Sequence, residues 1–293
     1  MVAVALKTTE ELAGVFVEPG QSNWITTGIN NHHWWFVILL TLLASIIALI
    51  TLKPTTSVKA RLKQRDLNIY IEVGDLFVPN KTLVIGTNTS FDTSFENNLI
   101  NPTSLQGQFT KRFYGDTVQY LDADLNKSLD GVNSTSLKRQ EKRVGKLEQY
   151  PIGTVAKIAP KNQEAYLVAM ARINTHGVAS TTIEDIRTAL SALWIHISEK
   201  GGGLPSLRVP ILGTGFGKLT ETREQVVREI LRSFVAACAS DRFCDEFTIV
   251  ISVKDFIEHQ IDLNELGDFL KYLTSYTEMR SASDTGSGVG VAA

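Results

Sequence analysis

Three glycines at alternate positions, Gly213, Gly215 and Gly217, follow a short apolar run over 207–212 and precede a helical stretch from about Thr220. Strand, glycine loop and helix in that order turn backbone N–H groups toward an anion, with the positive end of the helix dipole close by. Glycine admits positive φ and lets phosphate oxygens approach the backbone. The same residues also suit a plain strand-to-helix turn. Two nucleotide motifs fail here. A Walker A loop ending in Gly217-Lys218 needs glycine at position 212 and a hydroxyl at 219, and both positions hold leucine. A Rossmann fingerprint needs its third glycine one residue after Gly217. The loop Gly213, Thr214, Gly215, Phe216, Gly217, Lys218 keeps the physics of a phosphate cradle without either motif, and Lys218 is no P-loop lysine.

Three other loops follow strand-like runs. Gly74-Asp75-Leu76-Phe77 follows 67–73, the polar loop from Asn88 to Asp92 follows 82–87, and Lys254-Asp255-Phe256 follows 247–253. In layered α/β sheets ligands bind beyond the carboxyl ends of strands. Together the loops offer carboxylates (Asp75, Asp92, Asp255), an amide (Asn88), aromatic rings (Phe77, Phe91, Phe256) and the glycine cradle. That set suits a nucleotide. Asp75 can accept from an adenine amino group or cap its own turn. Asn88 can bond ribose hydroxyls or close an Asx-turn. No Ser-His-Asp, HExxH or paired-glutamate pattern is present, and His176, His196 and His259 are scattered. The chain reads as a binder rather than an enzyme, with no metal site and no cofactor.

The elements that must position these loops alternate between strand and helix. Strands are expected over 67–73, 82–87, 154–158, 165–170, 207–212 and 247–253. Helices are expected in part of 104–116, over the face marked by Leu121, Leu125 and Leu129, and over 182–199, 221–239 and 262–276, with Asp262 as N-cap. The charged stretch 137–148, with Lys138, Arg139, Lys142, Arg143 and Lys146, reads as a solvated loop or hairpin approach. Alternating strands and helices favour a layered α/β sheet.

Ahead of this domain lies a segment of another kind. Residues 34–52 carry no charge, proline or glycine. As a helix they would span about 28 Å, close to a ~30 Å hydrocarbon core, with Trp34 and Trp35 at an interface position. A single transmembrane helix is expected. The lone Lys7 before it, against Lys53, Lys59, Arg61, Lys63 and Arg65 after it, places the larger part in the cytoplasm. The expected organisation is an N-terminal segment 1–33, the membrane helix 34–52, a basic juxtamembrane linker 53–65 able to touch anionic lipids, a ligand-binding domain 66–277 and a disordered tail 278–293. A net charge of −2 gives no basic field for nucleic acid. Cys238 and Cys244 lack metal or redox spacing and read as buried thiols in a reducing compartment.

In order and spacing these motifs resemble macro domains. Gly74-Asp75-Leu76 is similar to their Gly-Asp-Ile turn. The strand 84–88 resembles the one that ends in Asn-Ala-Ala-Asn. Residues 210–217 resemble their second phosphate loop. With residues 87–92, 104–110 and the apolar segment ahead, the chain is similar to the transmembrane–macro effectors of type II Thoeris antiphage defence in bacteria. The resemblance implies a macro-like three-layer α/β/α sandwich with a mixed sheet, preceded by an N-terminal transmembrane helix. It implies an ADP-ribose-derived ligand, a histidine conjugate made by a partner protein with a TIR domain. Asp75 and Leu76 would meet adenine, with Asp255 and Phe256 flanking it. Thr87, Asn88 and Asp92, with Phe91 between them, would lie near the distal ribose. Gln106, Gly107, Gln108 and Phe109 would form the first phosphate-side loop, and Gly213 to Gly217 would hold the diphosphate. The glycine triplet usual in that first loop is absent. The implied outcome is a homo-oligomer in the bacterial inner membrane that disrupts it on signal binding and causes abortive infection. The alternative is a membrane-tethered ADP-ribosyl hydrolase or nucleotide-processing enzyme in which Asn88 and Asp92 position water.

Overall fold

The computed structural model describes residues 35, 37–47, 55–115, 117–200, 203–213, 219–239 and 242–276. The chain divides into two compact units, Met1–Pro54 and Thr55–Ala293. In the first, Trp35 and residues 37–47 are helical. Their polar side chains are satisfied within the helix: Thr41 Oγ1 donates to the carbonyls of Val37 and Ile38 at 2.8 and 2.9 Å, and Ser45 Oγ to that of Thr41 at 2.7 Å. No helix among the described residues is long and apolar enough to cross a membrane. The rest of the expected span 34–52 lies outside the described residues, as do the segment 1–33 and the tail 278–293.

The second unit contains β1 (Ser57–Leu62), β2 (Leu67–Val73), β3 (Thr82–Asn88), α1 (Leu105–Tyr114), α2 (Val118–Ser128), β4 (Thr135–Ser136), β5 (Glu148–Gln149), β6 (Val155–Ile158), β7 (Ala165–Ile173), β8 (Ala179–Ser180), α3 (Ile183–Lys200), β9 (Leu207–Pro210), α4 (Arg223–Cys238), β10 (Glu246–Ile251), α5 (Val253–Glu258) and α6 (Leu263–Tyr276). The main sheet runs β1-β2-β10-β9-β3-β7-β6. Its five central strands β2, β10, β9, β3 and β7 are parallel, and β1 and β6 close the two sides antiparallel.

Alternation along the strands feeds two cores. On β2, Leu67, Ile69 and Ile71 point to one face and are fully buried. On β3, Val84 joins that core, while Leu83 and Ile85 join the other. α3, α4 and α6 cover the first face and α1 and α2 the second, which makes three layers around one mixed sheet. α4 begins at a capping box: Thr222 Oγ1 accepts from Gln225 N at 3.2 Å, and Gln225 Oε1 accepts from Thr222 N at 2.9 Å. Asp262 caps α6 as expected, accepting from the N–H groups of Asn264 and Glu265. Cys238 and Cys244 are free and buried.

Two expectations change. The basic stretch 53–65 is not all linker. Val58, Ala60 and Leu62 pack on the first core, while Ser57, Lys59 and Arg61 are exposed, so the stretch forms β1 with the two-residue period of an edge strand. The five basic residues of 53–65 masked that alternation. β1 begins beside the end of β2, where Val73 N donates to Thr56 O at 2.8 Å. The charged stretch 137–148 does approach a small ribbon, β4 with β5, but Lys142 is 1% exposed rather than solvated.

Candidate functional site

Because β2, β10, β9, β3 and β7 are parallel, their carboxyl ends share one edge of the sheet. Register brings those ends level: Ile251 of β10 pairs with Val73 of β2, and Val250 with Pro210 of β9. The loops carrying Asp75, Asn88, Gly213 and Asp255 therefore stand along that edge.

Asn88 ends β3 with its side chain buried. Its Oδ1 accepts from Ser90 N at 2.9 Å and Asp92 N at 3.3 Å, which is an Asx-turn. Those bonds leave the Nδ2 donors out. The turn places Phe91 at a φ of +47°, with its ring in the second core against Tyr150, centroids 5.5 Å apart. Phe91 thus packs inside rather than offering a face to a ligand. Thr87, one residue before Asn88, is buried, and its hydroxyl has no partner among the described residues.

Asp92 is fully buried. Its Oδ2 accepts from Lys142 Nζ at 2.7 Å and its Oδ1 from Lys146 N at 2.7 Å. Gly145, at a φ of +81°, has no room for a Cβ against that carboxylate. Asp92 is thereby committed to holding the loops together.

Gln106, Gly107, Gln108 and Phe109 were expected in a phosphate-side loop and instead form the first turns of α1. Ser104 caps the helix by accepting from Gly107 N at 3.1 Å. Gln106 Nε2 donates to Asp92 O at 2.6 Å, and Gln108 Nε2 to Thr103 O at 2.8 Å. Phe109 lies in the second core, 5.0 Å from Phe113. Gly107 is needed because a Cβ there would sit 2.2 Å from Asn101 O.

Asp75 closes its own turn, its Oδ1 accepting from Phe77 N at 3.1 Å, and its Oδ2 pairs with Arg112 at 3.0 Å. Both partners are about half exposed, so a ligand can reach them. Leu76 is buried in the second core. Asp255 accepts from Ser252 Oγ at 2.7 Å at the start of α5 and pairs with Arg223 of α4, while Phe256 packs on the first core. Gly213 has a φ of +71°, and a Cβ there would meet Ile186 Cδ1 at 2.8 Å. Thr214, Gly215, Phe216, Gly217 and Lys218 lie outside the described residues.

Three features were not read from the sequence. Arg208, buried in β9, donates from Nη2 to Asp75 O at 3.0 Å and also pairs with Glu72. An arginine inside the apolar run 207–212 was the available signal. Lys142 is the second. The third is a cavity of about 270 Å³ beside the end of β3, lined by Thr89, Ser134, Gln149, Tyr150 and Arg172 among others. Burial, with Glu148 nearby, pushes the Tyr150 hydroxyl above its ordinary range. Arg172 is held at 2.7 Å by the buried Asp185.

Residues 69–252 match the family described as Thoeris protein ThsA, macro domain. The chain belongs to that family. It is similar to the Thoeris protein ThsA of Bacillus amyloliquefaciens (strain Y2), with 28% identity over 155 residues, 50% of this chain and 48% of the relative. The chain thus aligns with about half the length of that curated relative. In fold it is similar to the Oceanobacillus iheyensis macrodomain with MES bound, at a TM-score of 0.50 and 16% identity, covering 75% of this chain and 98% of that one. The same macrodomain with ADP gives a TM-score of 0.49 at 16% identity, with the same shares. The macro-like mixed sheet expected from the motifs is the one observed. The matched residues 69–252 take in β3, β7, β9 and β10 whole and most of β2.

Proposed function

We infer that this chain is an antiphage defence effector that senses an ADP-ribose-derived signal, a histidine conjugate made by a TIR-domain partner, without turning it over. The observation that carries the reading is the convergence of Asp75, Asn88 and Gly213 on one sheet edge of a ThsA macro domain. Asp75 faces adenine, the Asn88 amide faces the distal ribose, and the loop after Gly213 cradles the diphosphate. The cavity lined by Thr89 and Arg172 begins one residue beyond Asn88 and offers room for a group attached to that ribose. Asp92, the carboxylate a hydrolase would use to position water, is bound to Lys142 and Lys146 N instead, which favours sensing over hydrolysis.

Residues 34–52 anchor the protein in the bacterial inner membrane as a single span, with the macro domain in the cytoplasm. The internal bonding of Thr41 and Ser45 suits lipid, where unsatisfied polar groups are costly. β1 follows the anchor and starts at the ligand edge: Thr56 O takes Val73 N, two residues from Asp75. Signal binding is passed along that contact, and the domains associate as homo-oligomers and disrupt the membrane. The test is thermal unfolding and calorimetry of the full chain with ADP-ribose and its histidine conjugate. A binder of the native state raises stability by about 2.7 kcal/mol at a hundred times Kd. An unchanged melting temperature at millimolar ligand rejects the reading, and release of free ADP-ribose during incubation rejects its non-enzymatic part.

A further inference from the structure

A second cavity, of about 410 Å³, lies elsewhere on the domain. Asn80 precedes β3 and Lys161 and Asn162 precede β7, so this cavity sits at the amino-terminal ends of those strands, opposite the end of β3 that carries the Asn88 loop. The last turn of α1 adds Arg112 and Phe113, and the crossover from β2 adds Phe77. The Phe77 and Phe113 rings stand 6.3 Å apart, and the Arg112 guanidinium lies 4.5 Å from the Phe77 centroid.

Charge at this cavity is one-sided. Lys161 has no ion pair among the described residues, and Arg112 uses one N–H on Asp75. Asn80, Lys161 and Asn162 all hold left-handed backbone, with φ of 59°, 49° and 63°. Lysine tolerates that conformation poorly, so its place there costs stability that a plain turn of asparagine or glycine would save.

We propose that this cavity is a second binding site, for a small anion carried on a flat ring, such as an aromatic phosphate or carboxylate. Lys161 and the free N–H groups of Arg112 take the anion, and Phe77 and Phe113 take the ring. The site touches the nucleotide edge through the Arg112–Asp75 pair, whereas Lys161 belongs to this cavity.

The probe is phenyl phosphate, titrated calorimetrically into the full-length protein in phosphate-free buffer, beside inorganic phosphate. Phenyl phosphate is expected to bind about tenfold more tightly than inorganic phosphate, because the ring is buried. Lys161→Asn removes the charge and keeps a residue suited to left-handed backbone. It is expected to weaken phenyl phosphate about tenfold, as loss of a charge-assisted hydrogen bond does. Arg112→Gln should act in the same direction. ADP-ribose titrated into Lys161→Asn should behave as in the wild type. No binding of phenyl phosphate, equal affinity for the two probes, or an unchanged affinity in Lys161→Asn overturns the proposal. None of these outcomes depends on whether ADP-ribose binds.

Discussion

Lys142 Nζ lies 2.7 Å from Asp92 Oδ2, and the two side chains are 1% and 0% exposed. Lys142 also donates to Lys146 O at 2.7 Å, and Asp92 O receives Gln106 Nε2 at 2.6 Å. One ion pair thus ties together the loop after β3, the start of α1 and the stretch before β5. Burial pushes the Lys142 amine below its ordinary range, and Asp92 opposes that shift. Removing either partner leaves an uncompensated buried charge, at a cost of about 3–5 kcal/mol. Asp92→Asn and Lys142→Met should each lower the denaturant midpoint sharply. The double variant Asp92→Leu/Lys142→Met should recover a large part of the loss, since both charges are then gone. A small loss in both single variants would show that water reaches the pair.

Gly213 opens the glycine loop at a φ of +71°, with Ile186 Cδ1 and Thr181 Cγ2 at 2.8 and 3.0 Å from where a Cβ would stand. Gly213→Ala therefore meets both backbone strain and a clash with the start of α3. A loss of about 1–3 kcal/mol is expected in chemical denaturation. ADP-ribose affinity should fall as well, because the loop that begins here is displaced. Normal stability with normal affinity would remove Gly213 from the site.

How far the sequence reached can be judged residue by residue. Periodicity found β2, because Leu67, Ile69 and Ile71 alternate with Asn68, Tyr70 and Glu72. The Asx-turn reading of Asn88 and the capping reading of Asp75 are both realised, and each leaves the side chain at the carboxyl-terminal edge of the sheet. The buried role of Asp92 was illegible, because its partner Lys142 is fifty residues away in a run of surface-like charges. Only the family resemblance gave Gln106 to Phe109 a loop role; the helix expected in part of 104–116 is present over them, capped by Ser104 and dependent on Gly107 for close approach to Asn101. Such pairings are tertiary, and no local pattern encodes them.

Glu229 links α4 to α3 and carries a pH dependence. Arg187 Nε donates to its Oε2 at 2.8 Å, and Arg232 Nη1 to its Oε1 at 3.0 Å. The Arg187 hydrogen bond is the main reason its carboxyl titrates below the ordinary 4.5. Between the depressed folded value and the ordinary unfolded value, the unfolded chain binds more protons, so stability rises with pH across that window. The contribution is complete above the ordinary value and lost as pH falls through the folded one. Glu229→Gln should be less stable than wild type at neutral pH, and the gap should narrow as pH falls below the ordinary 4.5. A gap that keeps its size as the pH is lowered through the acid range would show that the loss is one of packing.

Asn88 allows its two roles to be separated. Its Oδ1 holds the turn through Ser90 N and Asp92 N, and its Nδ2 is the group proposed to meet a ribose hydroxyl. Asn88→Ala removes both functions. Asn88→Asp keeps the acceptors for the turn, replaces the donor by an acceptor, and adds negative charge near the diphosphate position. Unfolding midpoints should therefore fall for the alanine variant, by about 1 kcal/mol for the lost hydrogen bonds, and also for the aspartate variant, which keeps the turn but buries a carboxylate with no cationic partner. ADP-ribose affinity should fall about tenfold or more in both, since each lacks the donor. An aspartate variant that binds ADP-ribose as well as wild type would confine Asn88 to the turn and move ribose recognition elsewhere along the edge. Thr87, whose buried hydroxyl is unpartnered among the described residues, would then be the next residue to change.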